Sequence, residues 1–204
     1  YNYADKYLAE FSGRYDGSYK FIGNVSGRRW GFFPSVSLGW RMSEESFFEP
    51  LRKAVDNFKV RASFGSLGDD TGSAAYAFLS TFTNVSSAPS VVFGGVGQNG
   101  IMTSLVANEL LTWERNYSYN VGFDLAMWNG KLGIEFDAFY NYIFALLGAN
   151  SGNPASMGGY YPPYVNNNAQ DVRGIRVTLT HRHRPGHHSQ YRLPLTLTPP
   201  PLPH

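Results

Sequence analysis

From Tyr7 to Thr180 the chain repeatedly alternates apolar and polar residues, the period that sets successive side chains on opposite faces of a strand. Tyr7, Ala9, Phe11, Gly13 and Tyr15 fall on one face, with Leu8, Glu10, Ser12, Arg14 and Asp16 on the other. Phe32, Pro34, Val36, Leu38 and Trp40 oppose Phe33, Ser35, Ser37, Gly39 and Arg41. Phe58, Val60, Ala62 and Phe64 alternate with Lys59, Arg61, Ser63 and Gly65. A fourth run, Asn116 to Trp128, sets Tyr117, Tyr119, Val121, Phe123, Leu125 and Met127 against Asn116, Ser118, Asn120, Gly122, Asp124 and Ala126. A fifth sets Leu132, Ile134, Phe136, Ala138, Tyr140 and Tyr142 against Gly133, Glu135, Asp137, Phe139 and Asn141. A weaker sixth has Ile175, Val177 and Leu179 against Arg176, Thr178 and Thr180.

Two architectures produce such strands. A soluble sandwich hides the apolar face in a core, whereas a membrane barrel turns it to lipid and keeps a polar interior. Three features favour the barrel. The runs reach about ten residues, the length that crosses a bilayer at a tilt, whereas sandwich strands average about five or six. The polar face carries full charges at Arg14, Lys59, Arg61, Asp124, Glu135 and Asp137. Aromatic residues crowd the run ends at Tyr15, Trp30, Phe32, Trp40, Tyr117, Trp128 and Tyr142, where interfacial girdles belong. The reading is therefore all-β: an antiparallel transmembrane β-barrel, present as an incomplete set of about six long strands.

The connections extend this reading. Asn129-Gly130 between the fourth and fifth runs is a strong hairpin signal, because both residues tolerate positive φ. Taking that turn as periplasmic places segments 16–31, 66–115 and 143–172 outside, where barrel loops are long. The connection 42–57 then lies on the periplasmic side and is expected to hold a helical turn capped by Ser43, with Ser46 and Glu49 following. Pro34 lacks an N–H, so it is expected near the external rim or at a bulge.

Composition narrows the function. Lys and Arg number 17 against 15 Asp and Glu, a net charge of +2, without the basic bias of a nucleic-acid binder. The absence of cysteine removes disulfides, thiolate metal sites and cysteine nucleophiles. No apolar run is long enough for a transmembrane helix. Residues 1–10 carry no basic and apolar signal-peptide pattern, so the sequence is expected to begin inside a larger protein or to have been cut.

At this point longer blocks become informative. YLAEFSGRYDGSYKF, RRWGFFPSVSLGWRMSEESFF and LRKAVDNFKVRASFGSLGD resemble successive blocks of the SusC/RagA branch of TonB-dependent receptors. LTWERNYSYNVGFDLAMWNGKLGIEFDAFYNYIFALLG resembles the block after them. The similarity covers residues 1 to 150 well and 151 to 180 loosely. It implies a parent barrel of about 22 strands around a plug. It implies import of oligosaccharides or peptides across the bacterial outer membrane, driven by the TonB complex. It also implies a SusD-like surface lipoprotein seated as a lid on the external loops. In the family the plug, TonB box and signal peptide lie upstream. The family pattern lapses after Thr180: all five His and six of the twelve Pro fall from His181 onward. Residues 1–180 are thus expected to form the partial barrel and 181–204 a disordered tail.

Candidate chemistry is sparse. His181, His183, His187 and His188 are a biased tail rather than a metal site. Gly95 to Gly100 matches GxGxxG, but a dinucleotide site needs a strand before it and a helix after it. Glu135 and Asp137 point to the same side, yet no histidine or G-x-S-x-G accompanies them, so no catalytic residue is assigned and no enzyme or cofactor is expected. The loop aromatics Tyr76, Phe78, Phe93, Tyr160 and Tyr161 have two readings: stacking on sugar or peptide substrate, or packing between loops or against a lid. With Arg14, Arg61, Asp124, Glu135 and Asp137 they make up the candidate substrate-binding set. The expected function is TonB-dependent nutrient import, with outer-membrane lipid as surroundings. Alternatives are a siderophore or cobalamin receptor, or an enzymatic or adhesive barrel.

Overall fold

The alternating runs become strands because period-2 sequences satisfy one apolar and one polar surface at once. A computed structural model describes residues 1–22, 27–85, 91–105, 107–149, 164–183 and 189–197. In chain order the strands are β1 (Asn2–Tyr3), β2 (Tyr7–Gly17), β3 (Trp30–Arg41), β4 (Val55–Asp69), β5 (Thr81–Val85), β6 (Val91–Phe93), β7 (Val96–Gln98), β8 (Gly100–Leu105), β9 (Glu114–Met127), β10 (Leu132–Ala149), β11 (Tyr164–His183) and β12 (Ser189–Leu197). Eight of them form one antiparallel sheet in the order β1-β2-β3-β4-β9-β10-β11-β12. The pairs β5·β8 and β6·β7 are separate ribbons inside the β4–β9 connection. The sheet is open, with β1 and β12 at its edges.

The register preserves the two faces from strand to strand. Tyr7 faces Trp40, Trp40 faces Val60, Val60 faces Phe123 and Phe123 faces Phe136. Many of these apolar side chains lie exposed: Phe11, Leu38, Tyr119, Val121, Ile175 and Leu179 among them. Following the pairing from Tyr7 leads to Phe136, yet the apolar run of β10 begins at Leu132, four residues nearer the turn. The apolar belt therefore steps about one residue per strand, equivalent to a strand tilt of about 35°. At that tilt the run from Tyr7 to Tyr15 is roughly 22 Å tall, close to the apolar band of outer-membrane barrels.

Two open edges and an exposed apolar face cannot be satisfied together in water. Residues 1–204 expressed alone are accordingly expected to aggregate or to require detergent. Sedimentation as a soluble monomer in plain buffer would remove the lipid assignment.

The turn Trp128–Lys131 follows expectation: Asn129 and Gly130 sit at φ 57° and 71°, and Lys131 N–H donates to the Trp128 carbonyl at 3.3 Å. Pro34 occupies a position without a ladder bond. Arg41 N–H donates to Lys6 O and Ser18 N–H to Arg29 O, so odd-numbered β3 residues bond to β2. Pro34 therefore turns its nitrogen toward β4, one residue past the last β3–β4 pair, Ser35 with Gly65. Above that pair the two strands separate. Phe33 is buried beside the gap, in a cluster with Phe21, Ala77, Leu111 and Trp113, against which Leu147 packs.

Three expectations are revised. Ser189–Leu197 forms a strand in register with Ile175–His183, where an unpaired tail is expected. Its alternation is hidden by proline-rich composition; in the register Leu193 pairs with Leu179 and Leu195 with Val177. Residues 184–188 and 198–204, including His187 and His188, lie outside the described residues. Second, β10 and β11 continue well into the segment read as loop 143–172. Asn166, Asn167, Asn168 and Gln170 show no apolar alternation, but ladder bonds with β10 need only backbone. Third, the 42–57 connection holds two short 3-10 turns, Met42–Glu44 and Ser46–Leu51, without a Ser43 cap: Ser43 is buried, and its hydroxyl lies 3.4 Å from Asn57 Oδ1. Gly94 and Gly95, at φ 58° and 81°, form the turn between β6 and β7, and the strand β8 follows. GxGxxG is thus part of a ribbon, without the helix that a phosphate cradle needs.

Candidate functional site

The polar face gathers its charges near the end that carries the Trp128–Lys131 turn. Across it, Lys59, Asp124, Glu135 and Thr178 fall in one row, and Arg61, Gly122, Asp137 and Arg176 in the next. Arg61 joins three strands. Its Nε donates to Asp124 Oδ1 at 3.2 Å, and its Nη2 donates to Asp137 Oδ2 at 3.1 Å and lies 2.9 Å from Oδ1. One guanidinium thus stands between two carboxylates, with Asp137 the more enclosed of the two.

Gly122 makes room for this arrangement. A Cβ there would lie 2.6 Å from Asp137 Oδ1 and press on the Phe136 carbonyl. Gly122→Ala is expected to cost about 1–3 kcal/mol through that crowding. Denaturant titration of the whole protein measures it; a neutral effect would mean that the ion pair tolerates displacement.

Along the middle of the polar face the central strands are uncharged, through Ser63, Gly65, Ser118, Asn120 and Asn141, and charge returns beyond them at Arg14, Asp16, Asp69 and Glu114. A concave groove of about 680 Å³ joins the two zones, lined in part by Glu10, Ser37, Lys59, Arg61, Ser63 and Asn120. Amides and hydroxyls there offer donors and acceptors without fixed charge, a surface suited to polar solutes.

The long connections meet at the end opposite the Trp128–Lys131 turn. Segment 107–114 ties them together. Trp113 Nε1 donates to Arg29 O at 3.2 Å, and Arg28 Nη1 to Glu109 O at 2.9 Å, which fastens the β2–β3 connection. On the other side Asn108 Nδ2 donates to Tyr164 O at 2.6 Å. Asn166 receives the Thr112 N–H and donates to Thr112 O and Ala145 O. Leu147 N–H donates to Glu114 Oε1 at 2.9 Å. Nearby, Tyr19, Tyr76 and Phe78 form an aromatic row with ring centroids 6.0 and 6.4 Å apart. Tyr19 and Tyr76 are exposed, and Tyr76 sits at φ 60°, a conformation unusual for a bulky residue.

The candidate residues thus divide into groups. Arg61, Asp124 and Asp137 come together, with Glu135 in the adjacent row. Arg14 stands apart, its Nε 2.5 Å from Asp16 Oδ2 and its side chain largely exposed. Tyr76 and Phe78 share one row; Phe93 belongs to β6; Tyr160 and Tyr161 lie outside the described residues. Sequence reasoning missed Tyr19 as their neighbour, and it missed Trp113, Asn108 and Asn166 as ties. The aromatic in a loop was the only available signal for Tyr19; the amides carried none.

At the charged end Glu45 receives three donors: Tyr7 Oη at 2.7 Å, Trp40 Nε1 at 3.2 Å and Lys6 Nζ at 3.2 Å. The Tyr7 bond first, then that of Trp40, holds its carboxyl below the usual carboxylate range. The unfolded chain therefore binds the proton more readily, so this contribution is present above the ordinary carboxylate pKa and fades as pH falls through the lower folded value. Glu45→Gln is expected to flatten that acid-side loss by lowering thermal stability at the higher pH where the carboxylate contributes, with the wild-type and variant curves converging in acid; melting curves from pH 3 to 8 check it.

The sequence pattern described as "TonB dependent receptor-like, beta-barrel" matches residues 1–198. The chain belongs to this family. TonB-dependent receptor P3 of Formosa agariphila is 33% identical over 139 residues, covering 68% of this chain and 13% of that protein. TonB-dependent receptor SusC of Bacteroides thetaiotaomicron is 29% identical over 140 residues, covering 69% and 14%. The chain thus spans only about a seventh of these curated relatives. The solved RagAB peptide transporter superposes with a TM-score of 0.70 at 18% identity, covering 95% of this chain and 21% of that one. Its "open-open" state gives 0.73, covering 94% and 20%. The sheet, with one apolar and one polar face, is therefore part of an outer-membrane receptor β-barrel.

Proposed function

We propose that the receptor bearing this segment imports an oligosaccharide or a peptide across the outer membrane. The observation that carries this reading is the continuous tilted apolar belt backed by a charged and amide-lined wall, with ordered aromatic loops at one mouth. The solved RagAB assemblies of the same fold are named as a peptide importer, and SusC is among the curated relatives. In this reading Tyr76, Phe78, Phe93, Tyr160 and Tyr161 meet cargo at the mouth. Arg14, Arg61, Asp124, Glu135 and Asp137 border its path. A SusD-like surface lipoprotein covers the loops, and the TonB complex drives release through regions upstream.

The test is uptake in the native bacterium. Deleting the receptor gene should abolish uptake of a labelled oligosaccharide or peptide pool, with restoration by the intact gene. Tyr76→Ala should raise the half-saturating concentration about tenfold, the loss of one stacked ring. Unchanged uptake of both pools, with loss of ferric-chelate uptake instead, would overturn the reading in favour of a siderophore receptor.

A further inference from the structure

The connection between β3 and β4 is long for a turn at this end, and its second 3-10 segment has a patterned surface. In a 3-10 turn residues three apart share a line. Ser46 and Glu49 fall on one line, Phe47 and Pro50 on a second, Phe48 and Leu51 on the third. Two thirds of the segment is therefore apolar.

It folds back over the lipid face. Phe48 is buried and stacks on Phe58 with ring centroids 6.0 Å apart at 23°. Phe58 belongs to the apolar belt, beside Phe123, whose ring stacks with Phe136. Phe47 meets Trp40, also of the belt, at 6.4 Å. Independently, Glu45 holds the polar tips of Tyr7 and Trp40, the girdle residues of β2 and β3. With the segment so placed, Phe47 and Leu51 remain 60% and 55% exposed, a cost in water that adjoining lipid removes. Arg52 follows, donating to Ser43 O and facing Glu44, and then the exposed Lys53.

We propose that Met42–Ala54 is an interfacial membrane foot. Phe47 and Leu51 enter the acyl boundary of the leaflet at this end, and Lys53 reaches lipid phosphates. The occupant is phospholipid because the segment continues the lipid-facing belt without a break. Short amphipathic elements with aromatic and basic residues bind the same zone. The foot would hold the barrel's depth at this end, where the girdle otherwise depends on single rings. The proposal rests on the lipid assignment of the apolar face and not on the identity of any cargo.

Single-cysteine labels in the whole receptor test it: Phe47→Cys, Leu51→Cys, Glu49→Cys and Val121→Cys. Each carries an environment-sensitive fluorophore in phosphatidylethanolamine–phosphatidylglycerol vesicles, with lipids brominated near the headgroup as the quencher for 47, 49 and 51 and lipids brominated deep in the acyl chain for 121. Labels at 47 and 51 should be quenched severalfold by the lipid and spared by aqueous iodide, with the reverse at 49. Quenching by iodide at 47 and 51, or shielding there from both quenchers, overturns the foot in favour of solvent or a protein partner. The label at 121 separates the failures: if lipid does not quench it, the belt assignment falls first.

Discussion

Val121→Arg is expected to destabilise the folded receptor by about 2–4 kcal/mol, the cost of a cation near the middle of the hydrocarbon on a barrel's outer face. Val121 lies between Ala62 and Ala138, far from either aromatic girdle, and is 56% exposed on the apolar side. No short path lets a guanidinium there reach the headgroups. Ser118→Arg, three residues away on the other face and flanked by Gly65 and Asn141, should cost little, since a wet lumen accepts charge. Urea titration of both variants in lipid vesicles gives the comparison. Equal losses would mean that the two faces see the same surroundings, which no membrane barrel allows.

Trp113→Ala should cost about 3–5 kcal/mol, the usual loss on truncating a buried Trp. Its ring meets Phe21 and Phe33 at 5.4 Å each, it is almost fully buried, and its Nε1–H is satisfied by Arg29 O. Truncation removes the contacts and leaves that carbonyl with the Ser18 N–H alone. Because the cluster joins the β2–β3 and β4–β9 connections above the gap between β3 and β4, amide exchange should accelerate in 18–22 and 107–113 while the β9–β10 ladder stays protected. Uniform acceleration would show that the loop cluster and the sheet unfold as one unit.

The sheet was readable because lipid and lumen impose one strict alternation on every crossing strand. Phe58 to Phe64 and Tyr117 to Met127 mark their strands for that reason. Where the chain leaves the membrane the constraint lapses. Tyr164–Gly174 pairs with β10 through backbone bonds although its side chains spell a polar loop, and Ser189–Leu197 pairs despite its proline. Arg61, Asp124 and Asp137 could be assigned to one face from parity, but only the register brings them to a common point. The ties through Asn108 and Asn166 depend on contacts 54 or more residues apart, and nothing local in an asparagine announces its distant partner.

The stitching of segment 107–114 to two neighbouring hairpins bears on how the mouth meets its visitors. Three independent tethers would have to surrender their freedom at each capture, weakening the grip by the entropy lost. A seam that is already closed removes most of that loss beforehand. Under the import proposed above, incoming molecules would then face walls set in advance, and selectivity would follow the outline of the opening rather than its yielding.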